Sequence, residues 1–538
     1  MKRWNGWGSE ETIYPLPESA KDYLKGYIGE GCTAQDATLE SMISQVPASR
    51  LNKHENVSID AEERLRHACG QSLPDWISLR SGRIPAFPDG VFYPTQENQI
   101  QEIFTIAEDN HFILIPYGGG TSVLRHINPP ESSSPVLTID LSKLEKMLDL
   151  DEASLLATFE AGIRGPILES NLNKHGYTLG HFPQSFEYST LGGWVATRSS
   201  GQQSFYYGRI EDLFRGGHLI TPTGEISFPP FPASAAGPDL RHLVLGSEGR
   251  FGILTQGIVA IKPLPDFEEF YGYIFKEWQG GLTAVRKLIS DHVQLSMIRL
   301  SDSQETQTTL LLSGQDNLVS WASYGLEKIG YDQKRCLLLV GVTGNRKTAV
   351  KAKETATRIC RKSGGLSTGK FIGRSWQKSR FLVPYLRNSL WEAGYALDTL
   401  ETAVPWNKVD QLKNELISAI ETASEKLDEK VLVFGHLSHV YATGASIYIT
   451  FIFRRTQDPD EMLQHWQVMK NAASEVILTW GGTISHQHGV GRDHADFLSR
   501  EKGDLGVDLL TEIGKSLDPK NLLNPGVLFR GDKLQQLI

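Results

Sequence analysis

The sequence predicts an α+β fold of two domains framed by helical segments, and three observations carry that prediction. The chain has 538 residues, more than one core organises at roughly 100 to 200 residues per domain. Short β-rich runs fill the stretch from Val91 to Ile261, whereas strands and amphipathic helices alternate from about residue 268 to about residue 480. The double proline Pro263-Leu264-Pro265 separates the two patterns.

Taken in order, residues 1–85 read as a helical segment with charged interruptions. Residues 86–267 open with Ile100, Ile103, Phe104 and Ala107, whose spacing predicts a helix with one buried stripe. The apolar strand Phe112–Ile115 and the runs 136–140, 155–159 and 218–221 follow. Residues 268–480 contain the strand 336–342 and the helix 348–362. Residues 481–538 return to an amphipathic helix at 504–517 and then turn at Asp518-Pro519 and Asn524-Pro525-Gly526.

Composition excludes some classes. Lys and Arg total 54 against 63 Asp and Glu, so the net charge of −9 disfavours broad attraction to nucleic acid. Cys32, Cys69, Cys336 and Cys360 are scattered and form no CxxC, so we expect reduced thiols and no metal site. No apolar run reaches ~20 residues and no signal peptide opens the chain, which ends Gln535-Gln536-Leu537-Ile538 without a peroxisomal address. A bacterial cytoplasmic setting is expected, with peripheral membrane docking through an apolar patch left open.

Glycine-rich loops carry the cofactor reading. Pro116-Tyr117-Gly118-Gly119-Gly120-Thr121-Ser122-Val123 directly follows a buried strand. Glycines there let backbone N–H groups approach an anion, which suits a diphosphate. Val123 stands where a third glycine would complete GxGxxG, so a nicotinamide site is disfavoured. Two further segments, Pro183–Thr197 and Gly246–Leu254, repeat the glycine-rich character.

Together the three loops resemble the FAD domain of the vanillyl-alcohol-oxidase and p-cresol-methylhydroxylase (PCMH) superfamily. The resemblance implies FAD held by Pro116, Gly118, Gly119, Gly120, Thr121, Ser122 and Val123 in the first loop. It adds Pro183, Ser185, Ser189, Thr190, Gly192, Gly193 and Thr197 in the second, and Glu248, Gly252 and Ile253 in the third. Relatives that link FAD covalently carry a histidine where Thr121 stands, so the resemblance implies non-covalent FAD.

Chemistry-bearing residues cluster towards the C-terminus. In Gly481–Gly491 an extended reading projects His486 and His488 to one side and Gln487 to the other, and two imidazoles can share a proton-transfer task. The run Val431–His436 reads as a buried strand. In Ser446–Arg454, Ile447, Ile449, Phe451 and Phe453 share one face and Tyr448 takes the other.

Trp4-Asn5-Gly6-Trp7-Gly8, Gly180-His181-Phe182-Pro183, Ser189–Arg198, Ile298-Arg299-Leu300 and His486–Gly491 resemble the alkyldihydroxyacetonephosphate synthase family over most of the chain. The resemblance implies that Tyr448 and His488 are active-site residues and that His181 and Arg299 lie beside the flavin. Arg387, with Thr399 twelve residues on, matches the family's phosphate-binding region, and an arginine fork fits phosphate. Departures exist: Gln487 interrupts a run of three histidines, and Phe182 and Gln184 replace acidic residues.

The implied reaction exchanges the acyl group of acyl-dihydroxyacetone phosphate for a long-chain alcohol, with the flavin as electrophile. His488 with His486 would be the base pair, and Tyr448 the acid or orienting group. Lipid-like small molecules and a second copy of the chain are the expected partners. The alternative is an FAD-dependent D-2-hydroxyacid dehydrogenase of the D-lactate type. Its metal ligands would be missing here, because Tyr448 and Gln487 hold two of the places and only His436 survives.

Overall fold

The computed structural model describes residues 1–52, 54–312 and 326–529; the C-terminal residues Gln535–Ile538 lie outside them. The helix predicted around Ile100 spans Asn98–Asn110, and its four stripe residues are buried. It precedes the Ile113–Tyr117 strand, which pairs in parallel with Val136–Asp140 in a four-stranded sheet. An antiparallel five-stranded sheet follows, with Ile253–Ala260 at its centre between Leu156–Glu160 and Phe214–Thr221.

From Phe267 the chain builds a seven-stranded antiparallel sheet. Its order is Leu366–Gly369, Phe267–Phe275, Cys336–Gly344, Met297–Ser301, Val431–Val440, Gly444–Arg454 and Tyr395–Pro405. Side chains alternate across a strand, and one face carries Leu300, Val433, Ile447, Ile449, Phe451 and Phe453 into the largest core. Helices Trp278–Ser290, Arg346–Lys362, Val409–Glu425 and Pro459–Thr479 cover that face. The opposite face is left for the site.

Two terminal segments do more than the sequence suggests. The predicted helical N-terminus forms helices Glu18–Ile28, Leu39–Gln45, Ala61–Arg66 and Leu73–Ser81. The first packs Leu24 and Ile28 against Leu432, Phe434 and Ile452 of the large sheet. At the other end, Leu523 bridges to Leu114: the Leu114 N–H donates to the Leu522 carbonyl at 2.8 Å, and the Asn524 N–H donates to the Leu114 carbonyl at 2.8 Å. The chain's last described turns therefore extend the first sheet.

Candidate active site

One cavity of about 630 Å³ runs between the glycine loops and the free face of the large sheet. All three loops reach it, and each loop residue expected to hold FAD lies on its wall. The first two loops interlock too closely for side chains. A Cβ at Gly119 would come within 1.8 Å of the Tyr188 carbonyl, and one at Gly118 within 2.5 Å of Thr190 Oγ1. Bare backbone thus faces the cavity there, as a diphosphate requires. Ser200 Oγ, Gln202 Oε1 and Gln487 Oε1 are buried polar atoms without protein partners on the same wall. Buried polar groups need partners, so these residues fit a polar cofactor.

The sheet face grades from polar to apolar by register. Ser301, His436, Tyr448 and Glu401 lie side by side across four strands. The next row is Phe434, Thr450 and Thr399, and the row after it Leu432, Ile452 and Leu397. Ala20 and Leu24 of the first helix, with Leu386 and Leu390, line the apolar end.

In the polar row, Tyr448 donates to Thr399 Oγ1 at 3.1 Å and stacks 5.0 Å from the His436 ring. Burial pushes its phenol well above the usual range, so the hydroxyl stays protonated. Arg299 donates to Glu305 at 2.7 Å, and His436 Nδ1 lies 2.9 Å from the same oxygen. Burial opposes ionisation of Glu305, but His436 and Arg299 hold its carboxyl far below the usual range. The Arg299 charge is therefore already compensated.

Arg387 differs. Its Nη1 donates to the Gln71 carbonyl at 2.5 Å and its guanidinium lies 4.4 Å from the Trp76 ring. Nε and Nη2 are buried with no partner. Burial lowers its pKa to about 10, which still leaves it charged at neutral pH. A buried cation with unpartnered donors on a cavity wall has the chemistry to take an anion.

The histidine loop departs from the extended reading: residues 481–490 form turns and bends. His488 and Gln487 reach the cavity wall and His486 does not. The His486 Nε2 lies 2.6 Å from the Tyr441 hydroxyl and 3.1 Å from Arg209, behind the wall. The loop chain reverses rather than alternates, so the two imidazoles do not share one side. His181 is likewise fully buried, with Nε2 3.2 Å from Ser199 Oγ and its ring 4.8 Å from Trp194. Burial drives it down to about 3 and keeps it neutral. It backs the wall through Ser199 rather than lining the cavity.

Two buried glutamates hold the histidine loop, and no motif announced the first. Glu401 accepts the N–H groups of Gln487 and His488 at 2.7 and 2.9 Å. Glu248, expected at the cofactor, accepts those of Val490 and Gly491 at 2.5 and 2.7 Å. Its Oε2 is 3.3 Å from His126 Nε2, and His126 Nδ1 is 2.6 Å from Ser122 Oγ of the first glycine loop.

Comparison with known proteins bears on this arrangement. Residues 88–227 match a family model described as FAD binding domain, and residues 264–528 one described as FAD linked oxidases, C-terminal domain. The alkyldihydroxyacetonephosphate synthase of Trypanosoma brucei brucei is 30% identical over 88% of this chain and 78% of its own length. The chain belongs to the alkyldihydroxyacetonephosphate synthase family. The Dictyostelium discoideum member of the family is 28% identical over 98% of this chain and 93% of its own. A solved alkyldihydroxyacetonephosphate synthase superposes with a TM-score of 0.84 at 25% identity, covering 97% of this chain and 98% of that one. The p-cresol methylhydroxylase structure, at 13% identity and a TM-score of 0.66, shares the fold. A mitochondrial D-lactate dehydrogenase (cytochrome) of Arabidopsis thaliana is more distant, at 23% identity. Like its family, the chain is an FAD-dependent enzyme of PCMH-type fold. Among the described residues no helix is long and apolar enough to cross a membrane.

Proposed function

We propose that this chain replaces the acyl group of an acyl-dihydroxyacetone phosphate by a long-chain alcohol, with no net redox change. The observation that carries the reading is the pair of unpartnered Arg387 donors, Nε and Nη2, on the wall of a cavity that also carries the polar row and the apolar end. An anionic head with a long apolar tail suits both ends of such a cavity. In this reading residues 86–267 form the flavin domain, 268–480 the substrate domain, and 1–85 and 481–538 close the site from either side.

Arg387 anchors the phosphate, and Thr399 and Arg299 border it on the sheet. His488 takes the proton from the carbon that bears the ester. The Tyr448 hydroxyl orients the substrate's oxygen, with Thr399 as its partner. When bound, FAD supplies an electrophile for that carbon. The bond to the carboxylate oxygen breaks and the bond to the alcohol oxygen forms; the alcohol's proton goes with the carboxylate as free fatty acid, and His488 returns its proton to the carbon. Apolar walls keep out water, which would otherwise compete with the alcohol. His486 and His181 support the wall rather than take part.

FAD held without a covalent bond is part of the reading, since Thr121 offers no imidazole to the ring. Acid or urea denaturation is expected to leave all yellow colour in the supernatant; colour staying with the precipitate would refute this. Phe371 is 56% exposed and Val383 is exposed too, yet both also line the cavity. That supports peripheral contact with a lipid surface; a homodimer is carried over from the family resemblance. The four cysteines are free, which suits a reducing bacterial cytoplasm.

The test uses ¹⁸O-labelled hexadecanol with acyl-dihydroxyacetone phosphate and the holoenzyme. Label retained in the ether product, with one free fatty acid released per ether, is expected. Label in the fatty acid, or no ether, would overturn the reading. The D-2-hydroxyacid alternative fares worse, because the D-lactate dehydrogenase relative is more distant than the synthases.

A further inference from the structure

We infer that Glu401 is a positioning residue for the proposed base: its carboxylate fixes the tautomer of His488 and turns the other ring nitrogen to the cavity. The inference rests on the function proposed above only in calling His488 the base.

Glu401 sits in the Tyr395–Pro405 strand directly opposite Tyr448, 3% exposed. Its Oε1 lies 3.3 Å from His488 Nδ1 and also accepts the Gln487 and His488 backbone N–H groups. Its Oε2 lies 3.8 Å from His486 Nδ1. Burial works against the anion, but the two backbone N–H groups donated to Oε1 favour it, and the carboxyl stays below the usual range. An ionised carboxylate can only accept hydrogen bonds. The nitrogen facing it must therefore carry the proton, and Nε2 is left bare to receive one.

The remaining neighbours leave this assignment standing. The Tyr448 ring is 6.0 Å from the His488 ring and its hydroxyl is committed to Thr399. His494, the other imidazole coupled to His488, is buried and driven down to about 3, hence neutral. Lys470 and Asp398 behind it neutralise each other at 3.1 Å. Glu401 is thus the anion that meets His488. A carboxylate that orients a histidine in this way need not itself be protonated.

A mere strut for the loop and an orienting anion predict different outcomes for Glu401→Gln. Glutamine keeps an acceptor oxygen for the two N–H groups but loses the charge. If Glu401 orients the base, kcat falls by about 10²-fold or more while KM stays within about threefold. A kcat within threefold of the unaltered enzyme overturns the inference. A second measurement needs no activity: ¹⁵N-histidine spectra of the unaltered holoenzyme, with His488→Gln assigning the resonance. Protonation at Nδ1 is expected; a neutral His488 protonated at Nε2 overturns the inference. Nδ1 protonation in an enzyme that makes no ether would sink the proposed function and leave the Glu401–His488 pair standing.

Discussion

Replacing Arg387 by methionine is expected to lower kcat/KM for the phosphate ester by about 10²- to 10³-fold, mostly through KM. The size follows from the loss of charge-assisted hydrogen bonds to a buried anion, which are worth about 2–5 kcal/mol when one partner is removed. The same change should raise the thermal stability of the free protein. Nε and Nη2 are buried without partners, and buried donors without acceptors are a cost that methionine of similar length removes. Steady-state kinetics and a melting curve check the two signs together. Reduced activity with reduced stability would mean that Arg387 serves the fold through Gln71 and Trp76, with which it is already in contact.

His488→Gln and Tyr448→Phe are each expected to lower kcat by about 10²- to 10⁴-fold with flavin still bound. Tyr448→Phe removes only the hydroxyl, leaving the ring stacked on His436, so its folding should be preserved. The double variant should lose less than the product of the two single losses, because the groups serve one event. Multiplicative losses would show that the two act independently. Single-turnover rates with flavin absorbance recorded in parallel separate lost chemistry from lost cofactor.

The glycine loops were legible in the sequence because their chemistry is local. Bare backbone after a buried strand has few uses, and each loop residue assigned from the resemblance lines the cavity. The apolar face of Ser446–Arg454 was legible from its period of two, and it is the core face. The histidine loop was not legible, because alternation presumes a strand, whereas turns at Gly481, Gly489 and Gly491, all with positive φ, redirect the chain. His486 therefore lies behind the wall. Glu401 carried no signal, since its importance comes from strand register against Tyr448 and from a loop more than 80 residues away. The first helix's place at the apolar end is equally non-local: Leu24 meets Phe434 and Ile452.

The most direct test of the central claim is the anaerobic absorbance spectrum of the purified protein, with acyl-dihydroxyacetone phosphate in one cuvette and D-lactate in another. The phosphate ester alone should remove the oxidised-flavin band, and a long-chain alcohol should restore it with formation of the ether. Bleaching by D-lactate while the phosphate ester leaves the band untouched would contradict the account, as would a protein that purifies without flavin and does not take it up.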